Sequence, residues 1–334
     1  MSKYVPDISS RRWVIISTRR NGRPDDVRDS TQALVDPFGP GNEALTTKEV
    51  FRIGPGEPGS PGWEVRVIEN KYPISDFHEV VIHGPGEEDL HEMDPEHAQK
   101  VFQAFRERFN YYCKQGHVIL FCNRGEHAGA SLAHPHTQLV VLPHQINLST
   151  IAREPKDNMV KSTEHFDVYC PDFSQWPYEV WIAPKREDTL FGSITDVEIT
   201  DLVAIYQEVM KKLEEIYAEK SKTGPGFSYN FYIYPGENWY MRIIPRMAYR
   251  AGFELGTGLS VNTTDPEDAA TELRGGVPFE TGNSGEGEGS ESSSKSTNVK
   301  NGESATPATD IPEPEKTTEE KIEDVKAKLA RLGV

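Results

Sequence analysis

The octapeptide Phe77-His78-Glu79-Val80-Val81-Ile82-His83-Gly84 returns in altered form as Pro177-Tyr178-Glu179-Val180-Trp181-Ile182-Ala183-Pro184, at an offset of 100 residues. Each copy reads as a strand, and the segments downstream of the two copies are alike. After the first comes Asp94-Pro95, an N-cap with proline at the first helical position, then Val101, Phe102, Phe105, Phe109 and Tyr112 at helical spacing. After the second, Thr195 or Asp196 can cap a helix that carries Leu202, Ile205, Val209, Leu213 and Ile216 on one face. Two strands come after each helix: Val118 to Cys122 and a stretch ending at Leu142, then Phe227 to Tyr234 and Asn238 to Pro245. Strand–helix–strand–strand written twice predicts an α+β chain of two similar units, each an antiparallel sheet with a packed helix.

Upstream, Trp13 to Ile16 reads as a short buried strand and Trp63 to Ile68 as an alternating one. The boundaries fall at 1–160 for the first unit and 161–275 for the second, with a short helix beginning at Asp265-Pro266. Residues 276–316, rich in Gly, Ser, Glu and Pro, read as a disordered acidic linker. Residues 317–334 carry Ile322, Val325, Leu329 and Leu332 as an apolar stripe and read as an amphipathic helix. The net charge of −17 argues against nucleic acid or an anionic membrane as a partner, since both reward Lys and Arg. It leaves room for a small anion held by a few arginines and backbone amides. Cys113, Cys122 and Cys170 form no close-spaced pair, which points to a reducing compartment, and no apolar run approaches membrane-spanning length. A cytoplasmic protein is expected.

The chemistry concentrates in Ser131-Leu132-Ala133-His134-Pro135-His136-Thr137-Gln138, ahead of the apolar run Leu139 to Leu142. In an extended strand His134, His136 and Gln138 would leave one face, with Pro135, Thr137 and Leu139 on the other. The polar loop Asn123-Arg124-Gly125-Glu126-His127 would end near that face, and Arg19, Arg20 and Arg23 form a basic turn ahead of Pro24. Three readings compete. Two histidines can share a metal, but no nearby Cys, His or Asp is clearly placed to complete the set. They can be hydrogen-bonded strand residues. Or an imidazole can attack phosphorus and carry a nucleotidyl group, with Gln138, Asn123, Ser131, Arg20 and Arg23 as donors to the phosphoryl oxygens.

Ala130 to Gln138 closely resembles the active-site signature of the galactose-1-phosphate uridylyltransferases and their ADP-glucose phosphorylase-like relatives, in the histidine-triad superfamily. The likeness runs over roughly residues 7–275 and includes Trp13 to Ser17 with Arg20, Arg23 and Pro24, then Pro40-Gly41-Asn42-Glu43, Asn70-Lys71-Tyr72-Pro73, His78-Glu79-Val80 and Ala251 to Gly258. It implies two tandem histidine-triad folds, a homodimer, and ping-pong transfer of a nucleoside monophosphate, UMP in the namesake enzymes, between sugar 1-phosphates. By resemblance His136 is the nucleophile. Gln138, Ser131 and Asn123 bind the phosphoryl group, Arg20 and Arg23 the nucleotide phosphates, and Asn70 the nucleoside, while Phe253 and Glu254 fall where the family contacts the sugar. The implied ligands are a nucleoside diphosphate sugar and a sugar 1-phosphate. The family's zinc is not expected, because Asp36 and Gly39 stand where bacterial members carry cysteines, and Glu87 where they carry a histidine. That leaves His134, the remaining ligand position, to position the loop or His136. Two alternatives are a nucleoside diphosphate sugar phosphorylase or hydrolase, and a non-catalytic nucleotide-sugar binding protein.

Overall fold

The computed structural model describes residues 2–7, 12–22, 35–146, 148, 156–224 and 226–279. Arg23, the terminal helix expected at 317–334 and all but the first residues of the 276–316 linker lie outside the described residues. Two strands, β1 (Lys3–Asp7) and β2 (Arg12–Ile16), pair as an antiparallel ribbon. The others form a single ten-stranded antiparallel sheet: β3 (Glu49–Ile53), β4 (Val65–Glu69), β5 (Phe77–Ile82), β6 (His117–Arg124), β7 (His136–Leu142), β8 (Met159–Ser162), β9 (Phe166–Tyr169), β10 (Val180–Pro184), β11 (Tyr229–Ile233) and β12 (Met241–Pro245). The order is β3-β4-β5-β7-β6-β11-β12-β10-β9-β8. Outward from the β6–β11 junction, the five strands of each half keep the same order. The chain is α+β, a large antiparallel sheet with few helices.

Helices α1 (Pro95–Tyr112) and α2 (Asp196–Lys220) cover one face of the sheet and pack on each other. Asp94 accepts from the Glu96 amide at 2.9 Å with Pro95 at the first helical position, and Thr195 forms a reciprocal capping box with Glu198. The buried stripe of α1 includes Val101, Phe102, Phe105 and Phe109, and that of α2 Leu202, Ile205, Val209 and Leu213. Each such side chain contributes about 1.5–3 kcal/mol by leaving water. Arg108 of α1 grips Glu79 of β5 through two bonds, 2.9 and 2.7 Å, and the Tyr112 hydroxyl donates to the same carboxylate at 2.7 Å. Two shorter helices come later in the chain, α3 (Gly252–Thr257) and α4 (Pro266–Leu273).

Two expectations change. The strand over Trp13 to Ile16 is half-exposed, with Val14 at 54% and Ile16 at 45%, because a two-stranded ribbon buries only one side. Trp13 and Ile15 provide that side, packing on Val140 and Leu142. The offset of 100 is a sequence match, not a spatial one. Val81 faces the helices while Val80 and Ile82 face away, whereas Val180 and Ile182 face the helices and Trp181 faces away. A one-residue slip exchanges the two faces of a strand, so Glu79 and Glu179 do different jobs despite aligning.

Candidate functional site

The site is built on the sheet face opposite the helices. β7 lies between β5 and β6, with Ile82 opposite His136, Val80 opposite Gln138, and Phe121 opposite Gln138. His136 and Gln138 therefore leave one face together, as expected. Thr137 points the other way, fully buried, with its hydroxyl 2.7 Å from His83 Nε2. Burial first, and then the nearby charges of His136 and His134, push the His83 pKa well below the usual imidazole value.

His134 precedes the strand and is 3% exposed. Nδ1 lies 2.7 Å from Asp36 Oδ2 and Nε2 lies 2.9 Å from the Gly84 carbonyl. A carbonyl can only accept, so Nε2 donates to it, and the Asp36–His134 contact shares one further proton. The carbonyl of His134 in turn lies 2.8 Å from His136 Nδ1. Phe38 sets its ring edge-on to both imidazoles, at 5.4 Å from His136 and 6.0 Å from His134. A carboxylate, a buried imidazole and a peptide carbonyl thus stand in series behind the His136 ring.

The loop between β6 and β7 is fastened at both ends. Arg124 pairs with Asp89 at 2.5 Å and donates to the Ala133 carbonyl, just ahead of His134. Gly125 has φ +81°, and a Cβ there would stand 2.2 Å from Ser228 Oγ, so only glycine lets the loop cross β11. Asn123 lies one residue beyond the Cys122–Thr137 pairing, which sets it beside His136. Its Oδ1 accepts from Asn230 Nδ2 at 2.9 Å, and Asn230 also donates to the Ala128 carbonyl at 3.0 Å. With its oxygen engaged, the donor end of Asn123 is the end left to a ligand.

A cavity of about 330 Å³ opens above β7. Of the expected residues, Arg20, Asn70, Ser131, His136 and Gln138 line it. Arg20 also donates to the Tyr72 carbonyl at 2.9 Å, and Asn70 Oδ1 accepts from the Tyr72 amide at 2.7 Å. Phe38, Ile68, Val80 and Leu132 supply apolar wall, a composition suited to a base or sugar face. Asn123 and His134 are not among the residues that line it. Phe253 and Glu254 are not brought there: Phe253 is 57% exposed on α3, and Glu254 caps that helix by accepting from the Ala251 amide at 3.0 Å. Arg23 lies outside the described residues.

Sequence reasoning gave no site role to Asp36, Phe38, His78 or Asn230. Asp36 and His78 stood in stretches already singled out, whereas Phe38 and Asn230 carried no signal and meet their partners only through the fold. The positions that the resemblance sets as zinc ligands carry few ligand atoms here. Asp36 and His134 supply two ligand atoms already facing each other, Gly39 supplies none, and Glu87 is exposed. Among the described residues the three-ligand grouping lies elsewhere, at His91, Glu92 and Glu214.

The family model for the N-terminal domain of galactose-1-phosphate uridyl transferase matches residues 77–145, the span from β5 past the end of β7. An ADP-glucose phosphorylase of Arabidopsis thaliana is 26% identical, covering 80% of this chain and 91% of that protein. A galactose-1-phosphate uridylyltransferase of Thermotoga maritima is also 26% identical, but over 47% of this chain and 59% of its own length. The crystal structure of the Arabidopsis ADP-glucose phosphorylase with bound ADP-glucose superposes with a TM-score of 0.62 at 26% identity, covering 84% of this chain and 100% of that one. By these matches the chain is similar to the galactose-1-phosphate uridylyltransferases over its histidine strand, and to an ADP-glucose phosphorylase over most of its length.

Proposed function

We propose that the protein is a nucleotidyltransferase that carries a nucleoside monophosphate on His136, using two tandem histidine-triad-like halves of which only the first does chemistry. One observation carries this reading. His136 Nδ1 lies 2.8 Å from the His134 carbonyl, and a carbonyl can only accept. The neutral ring therefore keeps its hydrogen on Nδ1 and its lone pair on Nε2, the tautomer a nucleophile needs, in the wall of a cavity that Gln138 and Ser131 also line. Nε2 attacks the α-phosphorus of a nucleoside diphosphate sugar, the bond from that phosphorus to the bridging oxygen breaks, and sugar 1-phosphate leaves. A second phosphate oxygen then attacks the same phosphorus and the phosphorus–nitrogen bond breaks. Arg20, Gln138, Ser131 and Asn123 supply donors to the phosphoryl oxygens. No step uses a metal, because His134 is committed to Asp36 and Gly84 rather than offered to an ion.

The acceptor separates two readings. The namesake enzymes suggest a sugar 1-phosphate acceptor and a uridylyl group. The ADP-glucose phosphorylase matched over 91% of its length favours inorganic phosphate and an adenylyl group. Intact mass after incubation with UDP-glucose or ADP-glucose tests the shared step. A nucleotidyl adduct is expected in the wild type and none in His136→Asn. Tight binding of both sugars without adduct or exchange of labelled sugar 1-phosphate would leave a binding protein instead. Discharge of the adduct by inorganic phosphate or by sugar 1-phosphate then identifies the acceptor.

A further inference from the structure

We propose that His78 is a positioning residue for the phosphoryl-binding amide: fixed as its Nε2–H tautomer, it turns the amino group of Gln138 toward the nucleotide phosphoryl group. This rests on the nucleotidyl-transfer reading of the cavity. His78 lies on β5 and is 4% exposed. Its Nδ1 receives the backbone amide of Ile74 at 2.9 Å. A backbone N–H can only donate, so Nδ1 carries the lone pair, and a neutral imidazole then keeps its hydrogen on Nε2.

Nε2 lies 3.1 Å from Gln138 Oε1 and 3.2 Å from Asn70 Nδ2. The two contacts are not equivalent. The Asn70 amide is already oriented, since its Oδ1 accepts from the Tyr72 backbone, so its Nδ2 is an amino group and cannot take the His78 hydrogen. Gln138 Oε1 can. Once that oxygen is engaged, Gln138 keeps two N–H donors, and the residue lines the cavity together with His136. Two residues along one strand, the nucleophile and the donor are thus aimed by separate devices, the His134 carbonyl for His136 and His78 for Gln138. His78 also touches Asn70, so one buried ring sits between the cavity's nucleoside-side amide and its phosphoryl-side amide. An amide free to rotate would spend part of its time presenting oxygen to phosphoryl oxygens, an unfavourable pairing that the His78 hydrogen excludes.

The test is a double-mutant cycle with two readouts. The first is the rate of nucleotidyl-adduct formation from ADP-glucose and UDP-glucose. The second is the dissociation constant of the same sugars for His136→Asn protein, which cannot form the adduct. His78→Phe is expected to slow adduct formation about 10- to 100-fold, the range for losing the aim of one transition-state donor. His78→Gln, whose side-chain N–H₂ can replace the Nε2 donor, is expected to recover most of that loss. In a Gln138→Ala background, His78→Phe should change the rate by less than about threefold, because the group it aims is gone. Equal losses in His78→Phe and His78→Gln, or a full-sized effect of His78→Phe in the Gln138→Ala background, would overturn the proposal. If His78→Phe does not fold, the His78→Gln and His78→Asn pair carries the cycle. Sugars that bind without adduct would sink the transfer reading alone, and the affinity arm of the cycle would still decide the role of His78. Sugars that do not bind at all would sink both.

Discussion

Asp36 offers the sharpest perturbation, because its two carboxylate oxygens do different work. Oδ1 accepts from the Phe38 amide at 3.0 Å and holds the turn that brings Phe38 to both imidazoles. Oδ2 meets His134 Nδ1 at 2.7 Å. Asp36→Ala removes both. A hydrogen bond to a charged group is worth about 1.5–3 kcal/mol and an ordinary one about 1 kcal/mol. The carboxylate is 33% exposed, so solvent screens the pair and the lower end applies. The expected loss is roughly 2–3 kcal/mol, a fall of about 4–10 °C in melting temperature for a body of this size. Asp36→Asn is different in kind. It keeps an oxygen for Phe38 and offers an amino group to His134 Nδ1, which can accept while Nε2–H still donates to Gly84. Its expected loss is about 1 kcal/mol or less. The rate of adduct formation should track the contact rather than the charge. Asp36→Ala lets the His134 peptide drift, and a shift of about 1 Å at a nucleophile can cost on the order of 100-fold, whereas Asp36→Asn should stay within about tenfold of wild type. Thermal unfolding and intact-mass time courses on the two variants give the answer. Equal behaviour of Asn and Ala, or an adduct rate in Asp36→Ala matching wild type, would refute the series of contacts behind His136.

The same site yields two further outcomes. His83 is buried and its pKa is depressed, first by burial and then by the charges of His136 and His134. The unfolded chain then binds the proton more readily than the folded one, so stability is fully present above the ordinary imidazole value near 6.5 and declines as pH falls below it, by up to about 1.4 kcal/mol per pH unit. Denaturant titrations between neutral and acidic pH should show that decline, with a smaller slope in His83→Gln; an unchanged slope in the variant would discount His83. Elemental analysis of the purified protein should find zinc well below one atom per chain. One stoichiometric zinc would overturn the assignment of His134 to Asp36 and Gly84.

The element order was legible in the sequence because it depends on short periods. Helices α1 and α2 announce themselves by apolar residues three and four apart and by explicit caps at Asp94 and Thr195. Strands β3, β8 and β9 carry no comparable signal, since they hold only four or five residues each and interleave charged side chains such as Glu49, Arg52, Lys161 and Asp167. Register was not legible either. The match of Phe77–Gly84 to Pro177–Pro184 is real as sequence, yet only cross-strand pairing reveals that it is out of phase by one residue. At the site, His136 and Gln138 were readable because period two alone puts them on one face. The contacts of His134 were not, because they reach Asp36, 98 residues earlier, and the Gly84 carbonyl just past β5. Asn230 was invisible for a similar reason, since it meets Asn123 only where the two halves join. Phe253 and Glu254 were suggested by resemblance alone, and among the described residues they do not line the cavity.

The shared strand order of the two halves also bears on the proposal of one nucleophile per chain. Gln138, Phe121, Tyr232 and Arg242 form a continuous row across β7, β6, β11 and β12, on the face away from the helices. The second half therefore presents the same kind of surface on the same scaffold, but that surface is filled. Arg242 meets Glu179 at 2.7 Å, and Trp181 Nε1 donates to the other oxygen of that carboxylate at 2.7 Å. Trp181 stacks on Tyr240 at 4.0 Å, and Tyr240 stacks on Tyr234 at 5.1 Å. Most of the charge and aromatic surface there is engaged within the cluster, although the buried Arg242 Nε has no hydrogen-bond partner. Removing one member of a buried pair such as Glu179–Arg242 costs about 3–5 kcal/mol by stranding the other. In the first half the row runs on from Gln138 to Val80 with the cavity above it, and there His78 and Asn230, on the same sheet face, each lie within hydrogen-bond distance of an amide oxygen, that of Gln138 and that of Asn123.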